Sequence, residues 1–351
     1  MFEEPEPFGY KEASEAVDCI GDKAGKAGLA MPRISVTLGS GLGSFAARYT
    51  NPDSCLVIPT PELPHFAQPR RQAPGHGGRL IIAPIEDGSE ETMAIWEGRN
   101  HFYQRRLYQK IKEQWLKITD PEVRKAAVGF YIAICKRLGI QDILTSNAVG
   151  SSDPQHQVGD IVRVSDQIMD PEYDFGVPEE PVWFAEKMVD GTGFDYNQDA
   201  YFYGQGQLYS NELHQLAQEV ARGQGWELTE GVLNWREGRG FETPAYVKTR
   251  APGVTLFGMS TAPEVQKARS IGYSNQPGKG HFAAFSLVVN IAQSGHDQQI
   301  SNREGNEAGR AYEDRFNPFM FELIKRRRAA RLASACLRTF GCLYCAGLKP
   351  S

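Results

Sequence analysis

Short β-branched runs alternate with longer helical stretches along this chain, and no other feature limits its fold as tightly. The first run, Arg33-Ile34-Ser35-Val36-Thr37-Leu38, follows Pro32. Further strand signals lie at 55–58, 79–84, 92–96, 142–146, 160–165, around Gly231 and at 254–258. Helical patterns cover 10–26, 121–137 and 211–222, with Pro121 opening the second and Gly139 closing it. Residues 282–291 read as a buried strand or a helix start, and a last helix is predicted over 306–331. Strands separated by helices specify the α/β class. Residues 170–206 are rich in Pro, Gly, Asp and aromatics; so long an irregular stretch inside a compact domain is usually functional. No internal repeat or linker divides the chain, so one domain is expected over 1–331, with a tail at 332–351.

Composition narrows the function classes. The 351 residues are 41% hydrophobic and 23% charged, enough to bury a sizeable core. A net charge of −5 does not suggest a nucleic-acid-binding domain, which is usually strongly basic. From Phe321 onward there are seven Lys/Arg and one acid. That stretch is either a partner or membrane-surface patch or the solvated face of a terminal helix. No apolar run approaches a membrane span, and the acidic, Pro-rich start does not resemble a signal peptide, so a cytoplasmic location is expected. Six cysteines are too scattered for a disulfide framework. Cys19, Cys55 and Cys135 read as buried thiols, and Cys336 lies near a lone CxxC, Cys342 and Cys345. No second ligand pair accompanies it, so no metal site is expected.

Five segments carry chemistry. Gly39-Ser40-Gly41-Leu42-Gly43 follows the first strand, and its glycines would let backbone N–H groups approach a small anion. It lacks both the dinucleotide and the P-loop fingerprints, and a plain tight turn explains it equally. Glu97-Gly98-Arg99-Asn100-His101-Phe102-Tyr103 delivers Arg, His and Tyr at alternate positions, which share one face if the chain is extended. Arg can grip phosphate with two parallel bonds, while an exposed Arg beside a satisfied His is the plainer alternative. Ser146-Asn147-Ala148-Val149-Gly150 ends another strand in small residues, as either an accessible backbone or an ordinary βα turn. Thr261 and Glu264 fit a capping box with Pro263 early in the helix, an end that favours anions, and Ser260 adds a hydroxyl just before the cap. Phe241-Glu242-Thr243-Pro244 also opens a helix; Phe241 can stack on a flat base and Glu242 can accept from a ring N–H.

Taken together and in order, these segments resemble the trimeric purine nucleoside phosphorylase family. The likeness includes Pro74-Gly75-His76-Gly77-Gly78-Arg79-Leu80, Val158-Gly159-Asp160-Ile161, Phe241 to Pro244, Gly258 to Val265, and Ser286 to Asn290. The resemblance implies a single domain whose mixed central β-sheet is partly closed into a barrel and surrounded by helices, assembled as a homotrimer. It implies that Ser40, His76, Arg99, His101, the backbone N–H of Ala148, and Ser260 hold phosphate. Tyr103 and Met259 would meet the ribose, with Phe202 as the aromatic that a neighbouring subunit lays over the sugar. The base would lie against Phe241, between Glu242 and Asn290.

Those residue types suit phosphorolysis. Cleavage at C1′ passes through an oxocarbenium-like state, as in glycosidases. The anion must be fixed in line, and charge growing on the departing purine must be met near N7. Asn290, Glu242 and His101 are the expected catalytic groups, Asn290 donating to N7 or O6 and Glu242 accepting from N1–H. A 6-oxopurine matches that pair, which predicts inosine and guanosine as substrates and adenosine as a poor one. Inorganic phosphate is the co-substrate; no metal or organic cofactor is expected, and neither nucleic acid nor membrane is an expected partner. Three departures stand out. The family's ribose 5′-hydroxyl His has no equivalent in Asn302-Arg303-Glu304-Gly305-Asn306, and His296 is wrongly spaced to replace it. The normally apolar stretch before Phe241 is Asn234-Trp235-Arg236-Glu237, and Ser151 stands where a second Gly is usual. A phosphorylase for a 5′-modified nucleoside such as methylthioadenosine, and a non-catalytic nucleoside-binding protein, are the alternatives.

Overall fold

The computed structural model describes residues 8–49, 51–70, 77–104, 106–111, 114–169, 175, 205–206, 208–250, 252–275, 279–292 and 302–340. His76, Phe202, His296 and nearly all of 170–206 lie outside them. The strands are β1 (Ile34–Leu38), β2 (Leu56–Pro59), β3 (Gln68–Pro69), β4 (Arg79–Pro84), β5 (Thr92–Glu97), β6 (Leu107–Ile111), β7 (Gln114–Lys117), β8 (Asp142–Ser151), β9 (Ile161–Ile168), β10 (Thr229–Trp235), β11 (Leu256–Gly258) and β12 (His281–Ile291). The helices are α1 (Tyr10–Lys26), α2 (Ser44–Ala47), α3 (Pro121–Arg137), α4 (Asn211–Gly223), α5 (Pro244–Arg250), α6 (Ala262–Ser270), α7 (Asn302–Ala311) and α8 (Glu313–Phe340).

One mixed sheet organises the molecule, in the order β11-β10-β9-β12-β8-β1-β5-β4-β2. β1 is buried along its whole length, as a central strand flanked by parallel neighbours should be. Its side chains alternate, so Ile34, Val36 and Leu38 join the core under α2, α4 and α8. Ala94 and Trp96 of β5 face the opposite core, shared with α1, α3 and α6. The far end of the sheet curls round: β11 pairs antiparallel with β8 through Leu256–Ser151 and Phe257–Gly150, closing β8, β12, β9, β10 and β11 into a barrel. The partly closed barrel is thus present.

Local chemistry sets several elements. The Asp120 side chain accepts from Glu122 N–H (2.7 Å) and Val123 N–H (3.3 Å), Pro121 fills the first turn of α3, and Gly139 at φ 74 ends it. Elsewhere tertiary packing overrides the sequence pattern. The single C-terminal helix expected over 306–331 is two helices, redirected at Tyr312, whose ring packs against Gly159. α8 then continues past 331 to Phe340. β6 and β7 form, with β3, a small antiparallel sheet that the sequence reading lacks, because β7 is largely exposed and shows no apolar alternation.

The described cations from Lys325 to Arg331 in the basic C-terminal stretch are paired with acids. Arg327 binds Asp142 (2.9 Å) and Glu212, Arg328 binds Glu86 (2.7 Å) and Glu91 (2.8 Å), and Lys325 binds Glu86 (3.1 Å). Among the described residues these cations are therefore not a free patch. Cys55 and Cys135 are buried as expected, whereas Cys19 is half-buried. Among the described residues, no helix is long and apolar enough to cross a membrane.

Candidate active site

The closing of the barrel leaves a break in one edge of β8. β12 runs along the other edge from Asp142 to Ser151. On the broken edge β1 covers only Asp142 to Thr145, and β11 rejoins at Gly150. Crevices where neighbouring strands diverge, at the carboxyl ends of a parallel sheet, are where α/β folds bind ligands. The sequence places a turn at 146–150, but the strand continues through them because β12 holds them.

Three strand ends, those of β1, β5 and β11, converge on this gap. From β1, Gly39 approaches so closely that a Cβ there would stand 2.7 Å from Asn147 Cα; only glycine fits. Its N–H donates to Ser146 Oγ (3.2 Å), which donates in turn to Thr37 O (3.0 Å). Half-buried Ser40 follows at the mouth. From β5, Gly98 at φ 95 turns the chain and Arg99 reaches across to donate to the Ser146 carbonyl. That carbonyl therefore faces the gap. Main-chain groups of alternate residues share an edge, so the Ala148 N–H faces it as well.

Arg99 and Glu264, the latter on α6, form a buried pair at 3.2 Å, each side chain 1% exposed. Burial pushes the Glu264 carboxyl above its usual range, and the Arg99 guanidinium pulls it back. The capping box read from the sequence is half present: the Glu264 carboxyl accepts from the Thr261 backbone N–H, but the Thr261 half is missing. Thr261 is the N-cap residue, but at φ 75 its side chain makes no cap hydrogen bond. Its buried Oγ1 meets no partner among the described residues. A β-branched residue in the left-handed region is strained by about 1–3 kcal/mol, and such strain gathers at ligand sites.

The Arg–His–Tyr triplet is also rearranged. β5 ends at Glu97, and Gln104 N–H donates to His101 O (3.0 Å), closing a turn around Phe102 and Tyr103. The chain is not extended there; instead the His101 and Tyr103 rings stack at 4.8 Å. His101 Nδ1 lies 3.4 Å from Met259 O, which ties this loop to the end of β11, where Met259 and Ser260 stand. Burial raises the Tyr103 phenol pKa, opposed by Arg99.

The residues expected at the base come from two places, Asn290 from β12 and Phe241 and Glu242 from the loop after β10. Asn290 is 7% exposed at the end of β12, its Nδ2 3.0 Å from where a Gly150 Cβ would stand. Among the described residues no acceptor meets that Nδ2. Phe241 is 40% exposed beside Glu242, in the loop before α5. Thr243 caps α5 as expected, accepting from Tyr246 N–H (3.3 Å). Burial raises the Glu242 carboxyl pKa, partly offset by the nearby Arg236. The sequence reading assigns no role to Asn147. It is 2% exposed; its Oδ1 accepts from Ser286 Oγ (2.7 Å), while its Nδ2 has no acceptor among the described residues. A polar residue between Ser146 and Ala148, in a strand otherwise closely packed, was the available signal.

The model of the phosphorylase superfamily matches residues 123–325. The purine nucleoside phosphorylase 1 of Geobacillus stearothermophilus is 27% identical over 84% of this chain and 91% of its own length. The Rattus norvegicus purine nucleoside phosphorylase is 28% identical over 84% of this chain and 89% of its own. A solved Schistosoma mansoni purine nucleoside phosphorylase, in complex with adenosine, shares the fold at a TM-score of 0.70 and 23% identity, covering 92% of this chain and 99% of that one. With more than half its length matched, and with strand ends gathered as described, this chain belongs to the phosphorylase superfamily.

Proposed function

We propose that this enzyme is a purine nucleoside phosphorylase acting on 6-oxopurine nucleosides. The C1′–N9 bond breaks as a phosphate oxygen bonds C1′, giving free base and ribose 1-phosphate. The observation that supports this reading is the break in the β8 edge, where Arg99 donates to the Ser146 carbonyl; Ser40, His101, the Ala148 N–H and Ser260 are assigned with it to the phosphate. His76 belongs to the same set by sequence. Tyr103 and Met259 border the sugar position, with Phe202 assigned from a neighbouring subunit of a homotrimer. Phe241, Glu242 and Asn290 take the base. The names of the relatives support the reaction.

Fixing the anion in line is positioning work, and Arg99 and the imidazoles supply the positive charge. Asn290 Nδ2, buried and without a protein acceptor among the described residues, is poised to donate toward N7 or O6 of the departing base. Glu242 must be ionised to accept from N1–H. Adenine offers that carboxylate a bare acceptor instead, which costs about 1–3 kcal/mol. No metal or organic cofactor is required by this chemistry. The test is loss of inosine, followed as hypoxanthine release, with and without phosphate, beside adenosine and methylthioadenosine. Phosphate-dependent cleavage of inosine, with adenosine at least tenfold poorer, is expected. Strong adenosine cleavage would overturn the base assignment, and absence of any phosphate-dependent cleavage would overturn the reaction.

A further inference from the structure

The stretch before Phe241 departs from the apolar pattern of the resembled family, and the structure gives that departure a place. Arg236 is the first residue after β10, and its N–H donates to Gly258 O (3.0 Å), which fixes its backbone beside Gly258 and Met259. Its guanidinium lies 4.5 Å from the centre of the Tyr246 ring. That ring is held in turn, because Tyr246 Oη accepts from Asn234 Nδ2 (2.9 Å) and Tyr246 N–H donates to the Thr243 cap (3.3 Å). The cation is thus parked on the first turn of α5, directly after Glu242. Its charge is felt there, opposing the effect of burial on the Glu242 carboxyl. Among the described residues Arg236 makes no salt bridge. An aromatic ring takes one face of its guanidinium, and no described carboxylate takes its N–H edge.

We propose that Arg236 reads the 2-position of the purine, selecting a 2-oxo group over a 2-amino group. The inference rests on the purine nucleoside reading above and refines it. When Glu242 accepts from N1–H, the next position along the ring edge is C2. Guanine presents a second donor there, which needs the second carboxylate oxygen and meets a guanidinium that is itself only a donor. A 2-oxopurine presents donor then acceptor, which matches carboxylate then guanidinium. Hypoxanthine, with hydrogen at C2, sits between them. The favoured class is therefore nucleosides of 2,6-dioxopurines, with guanosine the weakest of the three 6-oxopurine substrates.

The experiment measures kcat/KM for inosine, guanosine and xanthosine, at one pH with saturating phosphate, on the full chain and on its Arg236→Met and Arg236→Lys variants. The wild type is expected to favour xanthosine over guanosine by about tenfold or more, the scale of one charge-assisted hydrogen bond. Arg236→Met should reverse that order, and Arg236→Lys, which keeps the cation, should retain it. Guanosine preferred by the wild type, or a xanthosine-to-guanosine ratio unmoved by Arg236→Met, would overturn the proposal while inosine cleavage leaves the reaction standing. If none of the three nucleosides is cleaved by any of the three proteins, the reaction itself is refuted and the proposal falls with it.

Discussion

At the N-terminal end of β8, Asp142 is fully buried yet gripped by Arg327 at 2.9 Å, with Arg331 3.9 Å away. Beside it, His281 at the start of β12 faces Ser210 Oγ (2.9 Å) and Glu212 (3.6 Å). At the C-terminal ends of the same two strands, Asn147 and Asn290 each keep a buried amide nitrogen with no acceptor among the described residues. One end sets buried charge against opposite charge, although the Asp142 oxygens and Arg327 Nε also lack a hydrogen-bond partner among the described residues; the other leaves two neutral amide donors with neither an acceptor nor a charge. Buried polar groups cost free energy unless paired, so the closed end reads as structure and the open end as a place where a ligand completes the pairing. Arg99 belongs to both kinds: Glu264 and the Ser146 carbonyl hold it rigid at the gap.

That contrast can be broken by substitution. The largest effect is expected at Arg99→Met, which leaves Glu264 buried without its cation. It should cost roughly 3–5 kcal/mol of stability by chemical denaturation and abolish measurable turnover. If stability stays within about 1 kcal/mol, the pair is not the support described. Next, Asn290→Ala and Glu242→Gln should each lower kcat/KM by roughly 10²–10³ while barely moving the denaturation midpoint. Equal losses of stability and activity would place them with the structural groups.

Arg327→Met should do the reverse. Removing the main partner of Asp142 should destabilise by roughly 2–4 kcal/mol, with Arg331 softening the loss, and leave kcat/KM of the folded protein unchanged. A smaller effect concerns pH. Burial pushes the His214 imidazole down to about 3 from 6.5, so the fold holds it neutral while the unfolded chain protonates below 6.5. The unfolded state then binds more protons and stability falls on acidification, by about 2 kcal/mol at pH 5 from this group. His214→Leu should flatten that slope. An unchanged slope in the variant would mean that His214 is not the group responsible.

Local signals were legible where the chemistry is local. Thr243 and Asp120 cap the helices their sequences announce, and the first strand ends in the glycine that the approach of Asn147 demands. The α/β class and the ordered motifs also survive. What the sequence hid is non-local. Glu264 reads as a capping-box acid and does accept from the Thr261 N–H, yet its ion-pair partner Arg99 lies 165 residues away. Ser146 to Gly150 reads as a turn, because small residues end strands unless a neighbour such as β12 carries them on. The basic stretch of α8 reads as a patch, since its acidic partners at Glu86, Glu91, Asp142 and Glu212 are scattered through the chain.

The most direct test of the open end as a phosphate site is the fate of the sugar. Inosine incubated with the enzyme and phosphate, followed by phosphorus NMR, should yield one ribose 1-phosphate for each hypoxanthine released. Free ribose in place of the phosphate ester would contradict the account, since water and not a held anion would then be the attacking group.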